Sequence, residues 1–187
     1  MKTLYKILFS FLLIFSMLPV EKSFAHSCKP WGESYGFSID CQHHTGTDSI
    51  TYEVGPMTSA YAGYITAGAN KWGTTNVVVF YKSNSSNYIH TYSDPNSSAN
   101  AAFYLYSSNS SGHLLQWAIK MNTSNMNNRS AALNNTTMAH EFGHAIGLND
   151  LYNSNNNDLL MYGYSNRTVA SPQTLDILGA KHILGKN

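Results

Sequence analysis

The chain has little charge, and the charge it has is balanced between the two signs. Asp, Glu, Lys and Arg make up only 11% of the residues, with 11 basic against 10 acidic side chains. A protein that binds nucleic acid usually carries an excess of positive charge, so this balance predicts no nucleic-acid partner. The surface must be kept in water by uncharged polar residues instead, chiefly Ser, Asn, Thr and Tyr.

The sequence also lacks an apolar run long enough to cross a membrane. The N-terminal run at 7–20 is shorter than the roughly 20 residues that a membrane-spanning helix needs. Lysines precede this run and a small-x-small sequence follows it at 23–25, a pattern typical of a secretory signal peptide. We expect residues 1–25 to be removed and residues 26–187 to form one secreted, extracellular domain without membrane attachment. A transmembrane anchor is the competing interpretation.

Cysteine is almost absent, since Cys28 and Cys41 are the only two in the chain. In an exported protein, the first expectation for such a pair is a disulfide bond. In the chain-entropy model, closing the short loop between them stabilises the fold by ~3 kcal/mol. The sequence therefore predicts a disulfide near the mature N-terminus.

Hydrophobic periodicity predicts a domain of mixed α/β (α+β) class. Strands are expected at 50–54, 77–81, 101–106 and 114–121, and helices at 58–72, at 136–147 and from Ser171 onward. The continuous apolar run 77–81 favours a central strand, and Ser171-Pro172 favours an N-cap followed by the first helical residue. We expect a twisted mixed sheet packed on two helices, with a small C-terminal part after Gly147.

One segment, 140–150, carries the chemistry, and it reads H-E-x-x-H-x-x-G-x-x-D. His140 and His144 are four apart, so on a helix they can offer their imidazoles to one ion. Glu141 lies beside them, where a carboxylate can take a proton from an activated water. Gly147 allows the chain to end the helix and turn back, which brings Asp150 within reach as a third ligand. Three protein ligands with an open fourth position are typical of a catalytic zinc site.

Two more ordinary interpretations compete with this one. A chance match on an amphipathic helix has a probability of about 0.007 for H-E-x-x-H, but of only about 4 in 100,000 for the extended motif. The helix also places the apolar residues Ala139, Phe142 and Ile146 on a face away from the histidines. Alternatively, Asp150 only caps the next turn and His182 completes the site.

With these residues the chain resembles the metzincin zinc endopeptidases, and within them matrixin-like bacterial enzymes and snapalysin. The motif at 140–150 ends in Asp, as in snapalysin, whereas matrixins usually have His there. The segment 159–163, Leu-Leu-Met-Tyr-Gly, is similar to the methionine turn, and 171–180 is similar to the start of the matrixin C-terminal helix. The resemblance implies a metzincin-like zincin fold in which Met161 packs beneath the metal without binding it.

The same resemblance raises two further possibilities. Cys28 could act as a thiolate latch on the zinc, as the matrixin propeptide cysteine does, instead of pairing with Cys41. Structural calcium often accompanies zinc in such enzymes, and Asp40, Asp48 and Asp94 could supply oxygen ligands, although they form no dense acidic loop.

These observations together predict a secreted zinc endopeptidase that cleaves extracellular proteins or peptides. Zinc would be held by His140, His144 and Asp150, and Glu141 would act as general base. We expect the strand at 114–121 to form the upper rim of the cleft and to pair with the substrate backbone. We also expect a monomer. The alternative is a secreted zinc-binding module for surface interactions, without proteolytic activity.

Overall fold

The computed structural model describes residues 29–186, and a five-stranded mixed sheet lies at its centre. The strands are β1 (Ser49–Val54), β2 (Val79–Lys82), β3 (Tyr88–Tyr92), β4 (Ala101–Ser108) and β5 (Leu114–Asn122). Their order is β2-β1-β3-β5-β4; every neighbouring pair is parallel except β4 and β5, which are antiparallel. The helices are α1 (Ser59–Gly73), α2 (Thr123–Met126), α3 (Ala131–Ile146) and α4 (Thr174–Ile183). The predicted mixed α/β class is therefore confirmed.

The prediction of a central strand at 77–81 was wrong. Val77 and Val78 are buried but precede the strand, and β2 lies at an edge of the sheet, paired only with β1. Within β2 only Phe80 is buried, whereas Val79 and Tyr81 are exposed. The first residues of the apolar run, Val77 and Val78, lie in a loop and are buried in the core. In the rest of the run, buried and exposed side chains alternate, as expected of an edge strand.

The central strand of the sheet, β3, was not predicted at all. It pairs in parallel with β1 on one side and with β5 on the other. Its sequence is Tyr-Ile-His-Thr-Tyr, and only Ile89 is fully buried. A single aliphatic residue among polar and aromatic ones gives little periodicity, so the partners on both sides stabilise this strand more than its own pattern does.

Helices α1 and α3 pack against each other and against one side of the sheet. The predicted apolar face of α3 is confirmed, because Ala139, Phe142 and Ile146 are completely buried. Phe142 contacts the ring of Phe80, with centroids 4.4 Å apart. Trp72 of α1 is also completely buried and donates a hydrogen bond from its indole N–H to the backbone oxygen of Ala139 at 2.8 Å. This packing fixes the position of α3 under the sheet.

Two helix starts differ from the prediction. Helix α3 begins at Ala131 rather than near 136, because the Ser130 hydroxyl caps it by accepting a hydrogen bond from the Leu133 N–H at 3.3 Å. Helix α4 begins at Thr174, two residues after the expected Pro172. Its N-cap is Gln173, whose backbone N–H donates to the Asp176 carboxylate at 2.7 Å. The acidic side chain inside the first turn, rather than Ser171, sets this start.

After Gly147 the chain forms a small C-terminal part with little regular structure besides α4. Leu151 pairs with the segment that follows Leu160, its N–H donating to the Met161 oxygen and its oxygen accepting from the Gly163 N–H, both at 2.9 Å. This part lies below α3 and forms the lower side of a cleft. Within residues 29–186 no helix is long and apolar enough to cross a bilayer. The predicted signal peptide and Cys28, with its predicted disulfide or latch, lie outside the described residues.

Candidate metal centre

Two histidines of α3 and one aspartate converge on a single point beside the cleft. The Nε2 atoms of His140 and His144 lie 3.0 and 3.6 Å from Oδ1 of Asp150. Helix α3 supplies both histidines because they lie one turn apart on its face. Gly147 ends the helix with a left-handed φ of 116°, which favours glycine and turns the chain back toward the histidines. In the described chain, these three residues form the only group with the ligand atoms to hold a metal ion.

Backbone carbonyls orient both imidazoles. The Nδ1 atom of His140 lies 2.9 Å from the oxygen of Leu160, and that of His144 lies 2.7 Å from the oxygen of Leu148. Because a carbonyl oxygen can only accept, each Nδ1 must carry the proton and donate it. With the proton on Nδ1, it is Nε2 that carries the lone pair of a neutral ring and can bind a metal ion, and in both histidines this atom faces Asp150. Burial, with the neighbouring His140, lowers the pKa of His144, so its ring is neutral at pH 7.

The arrangement of lone pairs fits a bound cation. Oδ1 of Asp150 is buried and accepts no hydrogen bond, while Oδ2 accepts one from the Tyr152 hydroxyl at 3.1 Å. The ordinary pKa of an aspartate is about 3.9, so Asp150 is a carboxylate at pH 7. Two imidazole nitrogens and one carboxylate oxygen would repel one another without a positive ion between them. Nitrogen and oxygen ligands of this kind suit zinc.

Glu141 lies next to the group and faces a cavity of about 540 Å³. The side chain is buried, and this burial, together with the charge of Asp150, raises the pKa of Glu141 to about 7, although Arg167 lowers it. A carboxyl group with a pKa near neutrality can both accept and release a proton at physiological pH. The cavity therefore has a proton acceptor beside its candidate metal ligands.

Met161 lies beneath the histidine-bearing turn of α3. It is buried, and a β-carbon at Gly143 would overlap its sulfur, so the methionine packs directly on the helix between the two histidines. That Met161 packs beneath a bound metal without binding it stays a prediction.

Sequence reasoning missed Asp176, which holds the turn around Met161. Its carboxylate accepts hydrogen bonds from the backbone N–H groups of Leu160 and Met161, at 2.9 and 3.1 Å. The oxygen of Leu160 in turn accepts from His140. A buried carboxylate on α4 thus supports an imidazole on α3 through one peptide unit. The acidic residue in the first turn of a helix was the available signal.

Arg167 was also missed, and it lines the same cavity as Glu141. Its Nε and Nη2 donate to the oxygen of Tyr162 at 3.1 and 2.9 Å, and Nη2 lies 3.3 Å from Nδ1 of His140. Since that Nδ1 donates its proton to Leu160, the approach of the guanidinium to it is a contact rather than a hydrogen bond. A lone arginine in a Ser/Asn-rich stretch gave no pattern by which to find it.

The upper rim of the cleft is β4, not the predicted strand at 114–121. Strand β5 is paired on both sides, with β3 and β4, so its backbone has no free edge for a substrate. Strand β4 is the edge strand, and its residues 101–103 line the cavity. The prediction was wrong because the order of strands in a sheet cannot be read from the hydrophobicity of one strand.

The remaining candidate ligands lie elsewhere. His182 packs between the rings of Trp31 and Phe37, with centroids 5.0 and 5.6 Å away, and does not belong to the converging group. Asp40 pairs with His43, Asp48 pairs with Lys186, and Asp94 accepts from the backbone of its own loop at Asn96. The described residues therefore give the predicted calcium site no support.

Comparison with known proteins finds similarity of fold at low sequence identity. No protein-family model matches the chain, and no curated protein matches it. One similar solved structure is high choriolytic enzyme 1, a hatching enzyme zinc-protease from the medaka fish Oryzias latipes. The match has a TM-score of 0.49 and 12% sequence identity, and it covers 85% of this chain and 98% of that chain. Myroilysin is similar with a TM-score of 0.45, 16% identity, and coverage of 79% and 69%. Since both TM-scores are below 0.5, the chemistry of this protein has to be inferred from its own residues.

Proposed function

We propose that this protein is a secreted zinc endopeptidase of the metzincin type, related to matrixin-like enzymes and snapalysin, that hydrolyses peptide bonds of extracellular proteins. The observation that carries this proposal is the convergence of two Nε2 lone pairs and one carboxylate oxygen, that of Asp150, beside the buried Glu141. His140, His144 and Asp150 would hold the ion, and its remaining coordination position would face the cavity.

The proposed chemistry divides between the ion and Glu141. Zinc, when bound, polarises a scissile carbonyl and makes a water more acidic. Glu141 accepts the proton of the attacking water and passes it to the departing amine. Its raised pKa of about 7 suits both halves of this transfer, because the group is neither a permanently charged base nor a permanently neutral acid at pH 7. Burial around Glu141 also keeps bulk solvent from competing for the proton.

The substrate would bind as an extended strand along β4. This strand has one side paired with β5 and the other side free, and the free side borders the cavity. An extended peptide can add to such an edge through backbone hydrogen bonds, which hold it without requiring a particular sequence. The scissile bond would then lie between β4 above and the C-terminal part below, next to Glu141.

The proposal is tested by incubating the mature protein with casein, with and without a zinc chelator. We expect cleavage that the chelator abolishes and that added zinc restores. Replacing Glu141 with Gln should preserve zinc content and fold but remove turnover, whereas the matched control Glu53→Gln, at an exposed position in β1, should cleave normally. An inert protein that still contains zinc would favour the surface-interaction module. Near-normal proteolysis by Glu141→Gln would contradict the role of Glu141.

Secretion has a separate test because it depends on residues 1–25. Expression of the full chain in a secreting host should release a protein into the medium whose N-terminal sequence begins at His26. A protein retained in the membrane with its N-terminal segment intact would support the anchor instead.

A further inference from the structure

We propose that Arg129 and Arg167 form an anion-binding subsite that selects substrates with an acidic side chain on the residue that supplies the leaving amine. This inference rests on the proposed peptidase function and names its preferred substrate. Arg129 and Arg167 are the only two arginines in the chain. Arg167 lines the cavity, and Arg129 binds Thr137, which also lines it.

Arg167 is a half-buried cation without a carboxylate partner. It lines the cavity, and its Nε and Nη2 are held by the backbone oxygen of Tyr162. No carboxylate oxygen within residues 29–186 lies within 4.0 Å of it; the ion pairs of this range involve only lysine and histidine as cations. Its Nη1 makes no hydrogen bond with any described residue. Taking a guanidinium out of water is costly unless an anion comes close to it, and a bound substrate could supply that anion.

Arg129 is connected to the cavity through Thr137, and it too forms no ion pair with any of residues 29–186. Its Nη1 donates to the hydroxyl of Thr137 at 2.9 Å, and Thr137 lines the cavity. That hydroxyl is itself anchored, because it donates to the oxygen of Leu133 at 3.1 Å. Burial lowers the pKa of Arg129 and of Arg167; at Arg167 the charges of Glu141 and Asp150 act against it, and the charge of Arg129 lowers the pKa further.

The acidic groups near Arg167 already have other tasks. Asp150 faces the candidate metal position, and Asp176 accepts three backbone N–H groups, those of Leu160, Met161 and Gln173. Glu141 is the proton acceptor in the proposed reaction. With a divalent ion in place, the positive charges of the ion and the two guanidinium groups exceed by one the negative charges of Asp150, Glu141 and Asp176.

The position of the subsite indicates which substrate residue it would contact. Thr137 lies one helical turn before Glu141 on α3, so both face the cavity on the same side. In this proposal the residue that carries the leaving amine lies on the Thr137 side of Glu141, where its side chain approaches the partner of Arg129. Two other lining residues are joined by a hydrogen bond, from the Asn100 amide to the Ser165 hydroxyl at 3.3 Å. A substrate carboxylate in this subsite could accept two parallel N–H bonds from a guanidinium group. A substrate side chain that ends in an amide or an ammonium group cannot form this pair of bonds.

The test compares peptides that differ only at the residue after the cleaved bond, which is Glu, Gln, Leu or Lys, with cleavage positions checked by mass spectrometry. For the zinc-loaded wild type we expect kcat/KM to be at least about tenfold higher for the Glu peptide than for the Gln peptide, as for one lost charge-assisted contact. In Arg129→Gln and in Arg167→Gln this ratio should fall toward one. In Arg129→Glu the Lys peptide should overtake the Glu peptide. The matched control Lys82→Gln, which removes one positive charge from the exposed edge of β2, should keep the wild-type ratio.

Binding gives a second readout that does not depend on turnover. Fluorescence anisotropy with the zinc-loaded Glu141→Gln protein should show tighter binding of the Glu peptide than of the Gln peptide, and Arg129→Gln in that background should remove the difference. Chelator-sensitive cleavage without a preference for Glu, or a preference that persists in both arginine variants, would overturn the inference and leave the proposed function intact. Absence of cleavage of every peptide and of casein, with no difference in binding, would overturn both.

Discussion

The two sides of the cleft are each stabilised by a different kind of contact. Above it, residues 29–147 form the sheet and helices α1 and α3, where interlocking apolar side chains such as Trp72 and Phe142 are completely buried. Below it, residues 148–186 have one regular helix, and side chains bind backbone groups instead: Asp176 holds the turn at 160–161 and Arg167 holds the oxygen of Tyr162. The upper side thus supplies two candidate ligands on a rigid helix, and the lower side supplies the third through a network of polar contacts.

This difference has a physical consequence for the site. Apolar packing is spread over many contacts, so it resists distortion as a whole and fixes the spacing of His140 and His144. A polar network depends on few hydrogen bonds, each of which stabilises by roughly 1 kcal/mol and leaves a costly unpaired group when broken. We therefore expect substitutions above the cleft to lower the free energy of unfolding. We expect substitutions below it to weaken zinc binding first.

The largest effect is expected from Asp150→Ala, because it removes the one ligand that the lower side contributes. The variant should lose zinc and activity, whereas Asp150→His should retain both in part and His182→Ala should retain both almost fully. His182 packs on Trp31 and Phe37, away from the site. Elemental analysis of zinc in the purified variants measures this outcome, and full metal occupancy in Asp150→Ala would remove Asp150 from the site.

The next largest effect is expected above the cleft. Trp72→Ala should lower the free energy of unfolding by about 3–5 kcal/mol, since it leaves a large cavity and frees the buried oxygen of Ala139. Tyr81→Ala is the control, an aromatic residue of the edge strand that is 51% exposed, and should change stability little. Denaturant unfolding of the metal-free proteins measures both. Equal losses in the two variants would contradict the packing described for α1 and α3.

A pH dependence is expected from Glu141, which lies between the two sides. Burial raises its pKa from 4.5 to about 7. Between these two pH values the folded metal-free protein therefore binds more protons than the unfolded chain. As a result, the free energy of unfolding falls as pH rises through this window. The lowered pKa of His144 acts in the opposite direction below pH 6.5, so the comparison must be with Glu141→Gln. The stability of that variant relative to wild type should rise by on the order of 2–3 kcal/mol from pH 4.5 to 7. A difference independent of pH would show that Glu141 ionises normally.

A smaller effect is expected from Asp176→Ala. Loss of its hydrogen bonds should loosen the turn that orients His140 and weaken zinc affinity by about 10- to 100-fold, the range typical of residues behind a metal ligand. Asp176→Asn, which keeps one acceptor oxygen, should fall between this variant and wild type. The control is Asp158→Ala, an exposed position in the same part of the chain. Competition with a chromophoric chelator measures the affinities; an unchanged zinc affinity in Asp176→Ala would show that the turn holds its shape without it.

The sequence allowed the upper half of the site to be predicted because its information is local. Helical periodicity places His140, Glu141 and His144 on one face, and a glycine at 147 predicts the turn that follows. The boundaries of β1, α1 and β4 were close to those observed for the same reason: each pattern of burial lies within one element.

What could not be predicted depends on contacts between distant parts of the chain. Strand β3 has one fully buried residue, Ile89, and owes its place to neighbours on both sides. The edge position of β2 and the inner position of β5 follow from strand order, which no single strand encodes. Asp176 and Arg167 form hydrogen bonds with backbone groups 5 to 16 residues away. Every residue has the same backbone groups, so the sequence does not show which of them a side chain will bind.

The central claim is that His140, His144 and Asp150 together hold a catalytic zinc ion. The most direct test is anomalous diffraction at the zinc absorption edge from crystals of the zinc-loaded protein. The account predicts one strong peak within ~2.0–2.2 Å of Nε2 of both histidines and of one Asp150 oxygen, with the fourth position open to the cavity. A peak held by His140 and His144 with Asp150 turned away, or a zinc ion bound only elsewhere, would contradict it.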